Sequence, residues 1–185
     1  MAPRIVITGF MASGKSVVGR ALAERLAWRL IDSDAEIVAA AGRSIPEIFS
    51  EFGEAHFRRL EREVIRDISS NPARCALCGA PRPAVISTGG GALVDERNYT
   101  ALKRGGVIVC LTARPDVLAQ RISLTGDDRP KLKEGGKPLC ERIAELMEER
   151  RAVYARADFA VDTSDLKVNE VVDEILAAYA RQGKR

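Results

Sequence analysis

Five short apolar runs punctuate the chain, at residues 4–8, 28–31, 84–87, 107–111 and 159–161. Each is continuous rather than alternating and ends at turn or cap residues, which predicts strands buried on both faces of a parallel sheet. Between them, apolar positions recur at helical spacing over residues 15–26, 45–69, 96–103, 115–124 and 138–156, and a last helix is predicted over 168–181. Strands and helices in alternation predict an α/β sandwich with right-handed crossovers. Two stretches break the rhythm. Residues 71–83, rich in Pro, Cys, Ala and Arg, read as a surface insert, and residues 126–137, polar and carrying Gly, Asp, Lys and Arg, read as a mobile loop.

Composition narrows this picture without changing it. The 185 residues, 46% hydrophobic and 30% charged, suit one soluble globular domain over 1–185 that buries its core without metal or disulfide support. The net charge of +3, from 29 basic and 26 acidic residues, is too small to argue for nucleic acid. It suits a site that gathers phosphates and carboxylates. No apolar run reaches membrane-spanning length, and residues 1–7 lead straight into a strand pattern without a signal-peptide layout. A cytoplasmic protein whose four cysteines stay reduced is expected.

The strongest chemical signal is Gly9-Phe10-Met11-Ala12-Ser13-Gly14-Lys15-Ser16, a G-x-x-x-x-G-K-[ST] sequence between a predicted strand and a predicted helix. Glycines at both ends let the backbone curl so that successive N–H groups face a polyphosphate. The helix N-terminus, through Val17, adds the positive end of its dipole. Lys15 is placed to reach the β- and γ-phosphates and Ser16 to ligate Mg²⁺. The competing interpretation is a Gly-rich turn that merely opens a helix. The motif alone leaves a GTPase, an ATPase and a small-molecule kinase open.

Discrimination comes downstream. Asp32-Ser33-Asp34 ends the second apolar run, on the sheet edge where parallel α/β proteins bind ligands. Next come Gly42-Arg43-Ser44-Ile45-Pro46-Glu47-Ile48-Phe49 and Gly53-Glu54-Ala55-His56-Phe57-Arg58-Arg59-Leu60-Glu61. Gly89-Gly90-Gly91 follows the third run, and Arg129-Pro130 lies in the polar loop. This series, in this order, closely resembles the shikimate kinase family over residues 5–163. The resemblance implies an NMP-kinase-like P-loop sandwich with a five-stranded parallel sheet ordered 2-3-1-4-5, a substrate-binding region about 36–61 and a lid about 126–137. It further implies a monomer that uses ATP and Mg²⁺ to phosphorylate the 3-hydroxyl of shikimate, in the chorismate route to aromatic amino acids.

Carried over residue by residue, the resemblance gives Asp34 the reacting hydroxyl, as base or as the group that orients it. Asp32 acts near the metal, although a helix N-cap would look the same in sequence, and Ser33 or Asp34 could cap equally well. Arg58 and Arg150 pair with the substrate carboxylate, and Glu61, one turn after Arg58, holds that arginine or touches substrate. Outside this setting Arg58 and Glu61 would read as a solvated i,i+3 pair. Gly89–Gly91 allow close approach of backbone N–H groups. Arg129 swings over the γ-phosphate, and Arg121 either stacks on adenine or is an ordinary helix-end arginine. Lys15, Asp34 and Arg129 form the catalytic set. Gly9, Ala12, Ser13, Gly14, Lys15, Ser16, Val17, Arg121 and Arg129 form the ATP set.

The sequence departs from the family at three places. Ala12 replaces a frequent glycine, implying a stiffer phosphate loop. Lys131-Leu132 stands where two leucines usually follow Arg-Pro. Cys75 and Cys78 form a C-x-x-C in the insert, half of a zinc site or, on simple grounds, two ordinary thiols. His56, the single histidine, reads as a polar helix residue. The rivals are a gluconate-type P-loop kinase, which lacks the D-x-D with G-E-x-x-F-R-x-x-E combination, and a nucleotide-binding switch, which has no need of a carboxylate clamp.

Overall fold

The computed structural model describes residues 3–70, 82–125, 132 and 136–182. Its strands are β1 (Arg4–Gly9), β2 (Arg29–Asp32), β3 (Ala84–Ser87), β4 (Gly106–Thr112) and β5 (Phe159–Asp162). All pair in parallel in the order β2-β3-β1-β4-β5, as the resemblance implied. The runs are continuous because both faces are covered. On one face Ile5, Ile7, Val85, Val109, Leu111 and Val161 pack against α1 (Lys15–Leu26) and α8 (Val168–Gln182). On the other, Val6, Ile31, Ile86 and Ile108 meet Ile65 of α3 (Ile45–Ser70) and Leu102 of α4 (Glu96–Lys103). Each such side chain, fully buried, contributes about 1.5–3 kcal/mol.

The register sets up the site. Asp32 pairs with Ser87, and β1 continues to Gly9 opposite Leu111, so β1, β2 and β3 all deliver their C-terminal residues to one edge. The loops that follow them meet there.

Four local features differ from the sequence expectations. First, β2 begins at Arg29 rather than Trp28. Ala27 closes α1 in the left-handed region at φ 52°, and the Trp28 ring turns to meet Tyr179 edge-on at 6.1 Å, so it is apolar for helix packing and not for the sheet. Second, a separate helix α2 (Ser33–Ala41) lies between β2 and α3, capped by Asp32 and ended by Gly42 at φ 64°. Third, α3 opens with a Ser44/Glu47 capping box but is kinked at Gly53, whose φ of 76° and ψ of 172° are not helical. Fourth, the predicted 138–156 helix is two pieces, α6 (Leu139–Glu149) and α7 (Arg151–Tyr154), after α5 (Pro115–Thr125). The break falls at Arg150, which leaves the helical ψ at 0° and donates to the Gly90 carbonyl at 3.3 Å.

Most of the predicted insert and lid, including Cys75, Cys78 and Arg129, lies outside the described residues. Leu132 is described, and it is buried in the cluster of Phe10, Met11, Leu118, Ile122, Ile143 and Leu146, so an apolar contact persists where one leucine follows Lys131. Among the described residues no helix is long and apolar enough to cross a membrane.

Candidate active site

The phosphate loop leaves β1 at Gly9, whose φ is 139°; an added β-carbon would lie 2.1 Å from the Leu111 carbonyl oxygen. Gly14 ends the loop at φ 96°, and Ala12 between them takes φ 58°, the left-handed conformation for which glycine is the usual residue. Lys15 folds back across the loop and donates from Nζ to the Phe10 carbonyl at 2.8 Å. Ser16 and Val17 are exposed in the first turn of α1, and Ser13 is buried beneath it.

Thr163, just after β5, braces this loop from behind. Its buried hydroxyl lies 3.2 Å from the Ser13 carbonyl and 3.1 Å from that of Thr112. Arg121 donates to the Thr163 carbonyl at 2.6 Å, to its hydroxyl at 3.0 Å and to the Ala12 carbonyl at 3.4 Å. The edge of that guanidinium therefore serves the loop. Thr163 escaped the sequence reading because nothing local marks a threonine 150 positions from its partner.

The three glycines after β3 are where the other segments meet. A β-carbon on Gly89 would stand 2.7 Å from Asp34 Oδ1 and 3.5 Å from Glu61 Oε1. One on Gly90 would stand 3.2 Å from the Gly9 carbonyl oxygen and 3.6 Å from Arg150 Nη1. One on Gly91 would stand 3.1 Å from Arg58 Nη2. A side chain at 89 would displace the Asp34 carboxylate, and one at 91 would press on the Arg58 guanidinium. The Gly90 carbonyl also accepts from the Tyr154 hydroxyl at 3.0 Å, beside Arg150, whose guanidinium lies 5.8 Å from the centre of the Phe10 ring. The structure thus gathers Asp34, Arg58, Glu61, Gly89, Gly90, Gly91 and Arg150 beside the phosphate loop, from four separate segments.

The D-S-D turn settles which residue caps α2. Asp32 Oδ1 accepts from the Asp34 N–H at 3.0 Å and the Ala35 N–H at 3.2 Å. Ser33 Oγ accepts from the Gly89 N–H at 3.1 Å, so that amide is turned to the protein and Gly89 offers close approach instead of a donor.

Charge in this corner is balanced within α3. Arg58 donates to Glu61 at 2.8 Å and to the exposed Glu54 at 3.1 Å. Glu61 is buried, and burial raises its carboxyl above the usual range; Arg58 pulls it back, while Asp34 and Asp95 push it further up. Burial pulls the Arg58 guanidinium down, but Glu61 and Glu54 more than offset that. One turn later Arg62 bonds Asp95, the cap of α4, at 3.3 Å, which ties α3 to the segment after the glycines. Cys110 of β4 is a buried thiol pushed up to about 11 by burial, only partly offset by the charge of Lys15, and it is not a nucleophile at neutral pH.

The donors the sequence offers a metal are the Ser16 hydroxyl, exposed in the first turn of α1, and the Asp32 carboxylate, whose Oδ1 caps α2. Among the described residues no three His, Cys, Asp or Glu side chains cluster as a protein-made metal cage. A hydroxyl and one carboxylate fit Mg²⁺, which keeps several waters and takes its other oxygens from substrate phosphates.

Comparison with known proteins gives one consistent answer. Residues 11–180 match the model of the family described as Shikimate kinase. A shikimate kinase of Geobacter sulfurreducens is 44% identical over 96% of this chain and 91% of its own. A shikimate kinase from Acinetobacter baumannii, solved in complex with shikimate, superposes with a TM-score of 0.84 at 30% identity, covering 98% of this chain and 95% of the other. A gluconokinase from Sinorhizobium meliloti covers 98% of this chain and 94% of its own at a TM-score of 0.58 and 22% identity, which is a shared fold and no more. With its phosphate loop, its glycine run and its strand order all in place, the chain belongs to the shikimate kinase family.

Proposed function

We propose that this chain passes the γ-phosphoryl of ATP to the 3-hydroxyl of shikimate, with Asp34 at the reacting hydroxyl and Arg58 and Arg150 on the substrate carboxylate. Family membership makes it an ATP-dependent shikimate kinase, an enzyme of aromatic amino acid biosynthesis. The observation that supports these roles is the glycine run. Gly89 abuts Asp34, Gly90 abuts the phosphate loop and Arg150, and Gly91 abuts Arg58, so one small space is bounded by an acid, a polyphosphate cradle and two guanidinium groups.

Each group then has a task fitted to its chemistry. Lys15 and the backbone amides of the loop hold the β- and γ-phosphates, and Arg121 with Thr163 keeps the loop's shape. Two planar guanidinium forks hold a carboxylate and fix the ring's orientation. Glu61 and Glu54 hold Arg58 until substrate arrives. Asp34 accepts the hydroxyl proton or orients that hydroxyl for in-line attack. The Ser16 hydroxyl and the Asp32 carboxylate would hold Mg²⁺, which would supply charge neutralisation at the phosphates. Arg129 would stabilise charge on the γ-phosphate, and Arg121 would stack on adenine.

The test is steady-state kinetics beside titration with a fluorescent ATP analogue. Arg58→Ala and Arg150→Ala should mainly raise the KM for shikimate, at a cost of about 2–5 kcal/mol for half-pairing a buried anion. Asp34→Asn should mainly lower kcat, and all three should bind the analogue normally. If Arg58→Ala weakened the analogue and spared shikimate, that arginine would belong to the nucleotide.

A further inference from the structure

We infer that Ser33 is a positioning residue, whose hydroxyl sets the distance between the Asp34 carboxylate and the glycine run on which the acceptor rests. The inference builds on the proposed role of Asp34. Its basis is the end of the β2–β3 ladder. Asp32 and Ser87 are the last paired residues, and beyond them the two chains diverge, one into α2 and the other into Gly89–Gly91. Past that point the Ser33 Oγ to Gly89 N–H bond, 3.1 Å long and with Ser33 fully buried, continues the ladder through a side chain. A helix's first turn and a glycine loop are both prone to shift. Here they are held where Asp34 crowds the loop most, because a β-carbon added to Gly89 would stand 2.7 Å from Asp34 Oδ1, closer than one on Gly90 or Gly91 would stand to any neighbour.

The three residues of the D-S-D turn divide their work. Asp32 Oδ1 takes the Asp34 and Ala35 amides and fixes the direction of α2. Ser33 fixes the turn against the neighbouring loop. Asp34 is then presented over Gly89 without flexible bonds between carboxylate and loop beyond its own two side-chain torsions. Ser33 is fully buried and its oxygen accepts from the Gly89 N–H, so it acts on the placement of Asp34 and not on a reacting atom. A small displacement of a catalytic group falls on the chemical step, and a shift near 1 Å costs up to about a hundredfold.

The test is a cycle of four proteins: wild type, Ser33→Ala, Asp34→Asn and the double variant, with Ser33→Thr as the conservative control. Ser33→Ala should lower kcat by roughly ten- to a hundredfold, with the ATP-analogue Kd unchanged. The double variant should be no slower than Asp34→Asn alone, because a displaced carboxylate has nothing left to lose once it is an amide. Ser33→Thr keeps the acceptor oxygen and should restore kcat. Ser33→Cys, close in shape but a weak acceptor, should behave as alanine does and serves if alanine does not fold. A wild-type kcat in both Ser33→Ala and Ser33→Cys would overturn the inference, and so would Ser33→Thr as slow as alanine, or losses that simply add. If Asp34→Asn itself kept its kcat, the role of Asp34 would fall and this inference with it. If Asp34→Asn failed while Ser33→Ala and Ser33→Cys did not, only the inference would fall.

Discussion

Ala12 holds φ 58° in the phosphate loop, a conformation that costs an L side chain roughly 1–2 kcal/mol. Glycine would remove that strain but would gain about 0.4–1 kcal/mol of freedom in the unfolded chain, so the two effects nearly cancel. Ala12→Gly should therefore leave the melting temperature within about 4 °C of wild type and keep the phosphate loop functional; calorimetry with ATP kinetics checks this. Glu61 makes a different prediction, in pH. Its folded-state pKa is raised above 4.5 chiefly by burial, so below that pH it is neutral folded or unfolded and contributes nothing. As pH rises the unfolded chain releases its proton first, and the native state loses stability until the buried carboxyl ionises as well. Glu61→Gln should thus gain stability relative to wild type from about pH 4.5 upward and level off above the raised folded value. Removing Arg58's partner adds an offset that is flat over this range, because the guanidinium stays charged throughout. Melting curves from pH 4 to 8 read the difference directly, and a gap that shrank with rising pH would refute it. Asp34, Arg58, Glu61 and Arg150 were legible because their residue types sit in an ordered series whose spacing can be matched. Ser33 and Thr163 were not, because each bonds a backbone group far away in sequence, 56 positions for Ser33 and up to 150 for Thr163.

At the scale of elements, the strands were readable where both faces are buried and the helices where one face is. Reading failed where a helix changes direction without changing its pattern. The apolar period runs unbroken through 138–156, yet the backbone turns at Arg150 so that its side chain reaches Gly90 and Phe10. The same holds in α3, where Gly53 offers the only local sign of the kink. No atom stands within 4 Å of a β-carbon added there, so the glycine is required for its backbone angles and not for space. φ 76° with ψ 172° is a region essentially closed to other residues, and Gly53→Ala should cost on the order of 1–3 kcal/mol. The kink also aims the second half of α3, with Glu54, Arg58 and Glu61, at the glycine run. Gly53→Ala should accordingly raise the KM for shikimate while the ATP-analogue Kd stays put. A variant that was merely less stable, with an unchanged KM, would show that the kink does not aim the clamp.

Taken as a whole, the molecule separates chemistry from anchorage along the strand direction. Among the described residues, the groups gathered around the glycine run lie near the C-terminal edge of the sheet, where Gly9, Asp32 and Ser87 end their strands. At the other end of β1, about 17 Å away at 3.3 Å per residue, sits Arg4, an arginine only 1% exposed. It donates to the Ser69 carbonyl at 2.6 Å and to the Arg104 carbonyl, so one guanidinium ties the last turn of α3 and the end of α4 to the central strand. Burial pushes its pKa down, which measures the cost of keeping the charge there, and the two carbonyl bonds offset that cost. Arg4→Met keeps much of the apolar stem and removes both bonds, leaving the buried Ser69 carbonyl and the partly buried Arg104 carbonyl without this donor. Charged hydrogen bonds contribute about 1.5–3 kcal/mol each, and release of the buried charge returns part of that, so a net loss of roughly 2–4 kcal/mol follows. For a chain of this length the melting temperature should drop by roughly 5–15 °C. Because α3 remains fixed to the site by Arg62–Asp95 and by its core contacts, kcat and both KM values at 20 °C should match wild type. Thermal melts paired with full kinetics decide it. A variant that melts normally would mean the carbonyls find water instead, and one that loses affinity for shikimate at 20 °C would mean the far end of α3 steers the clamp.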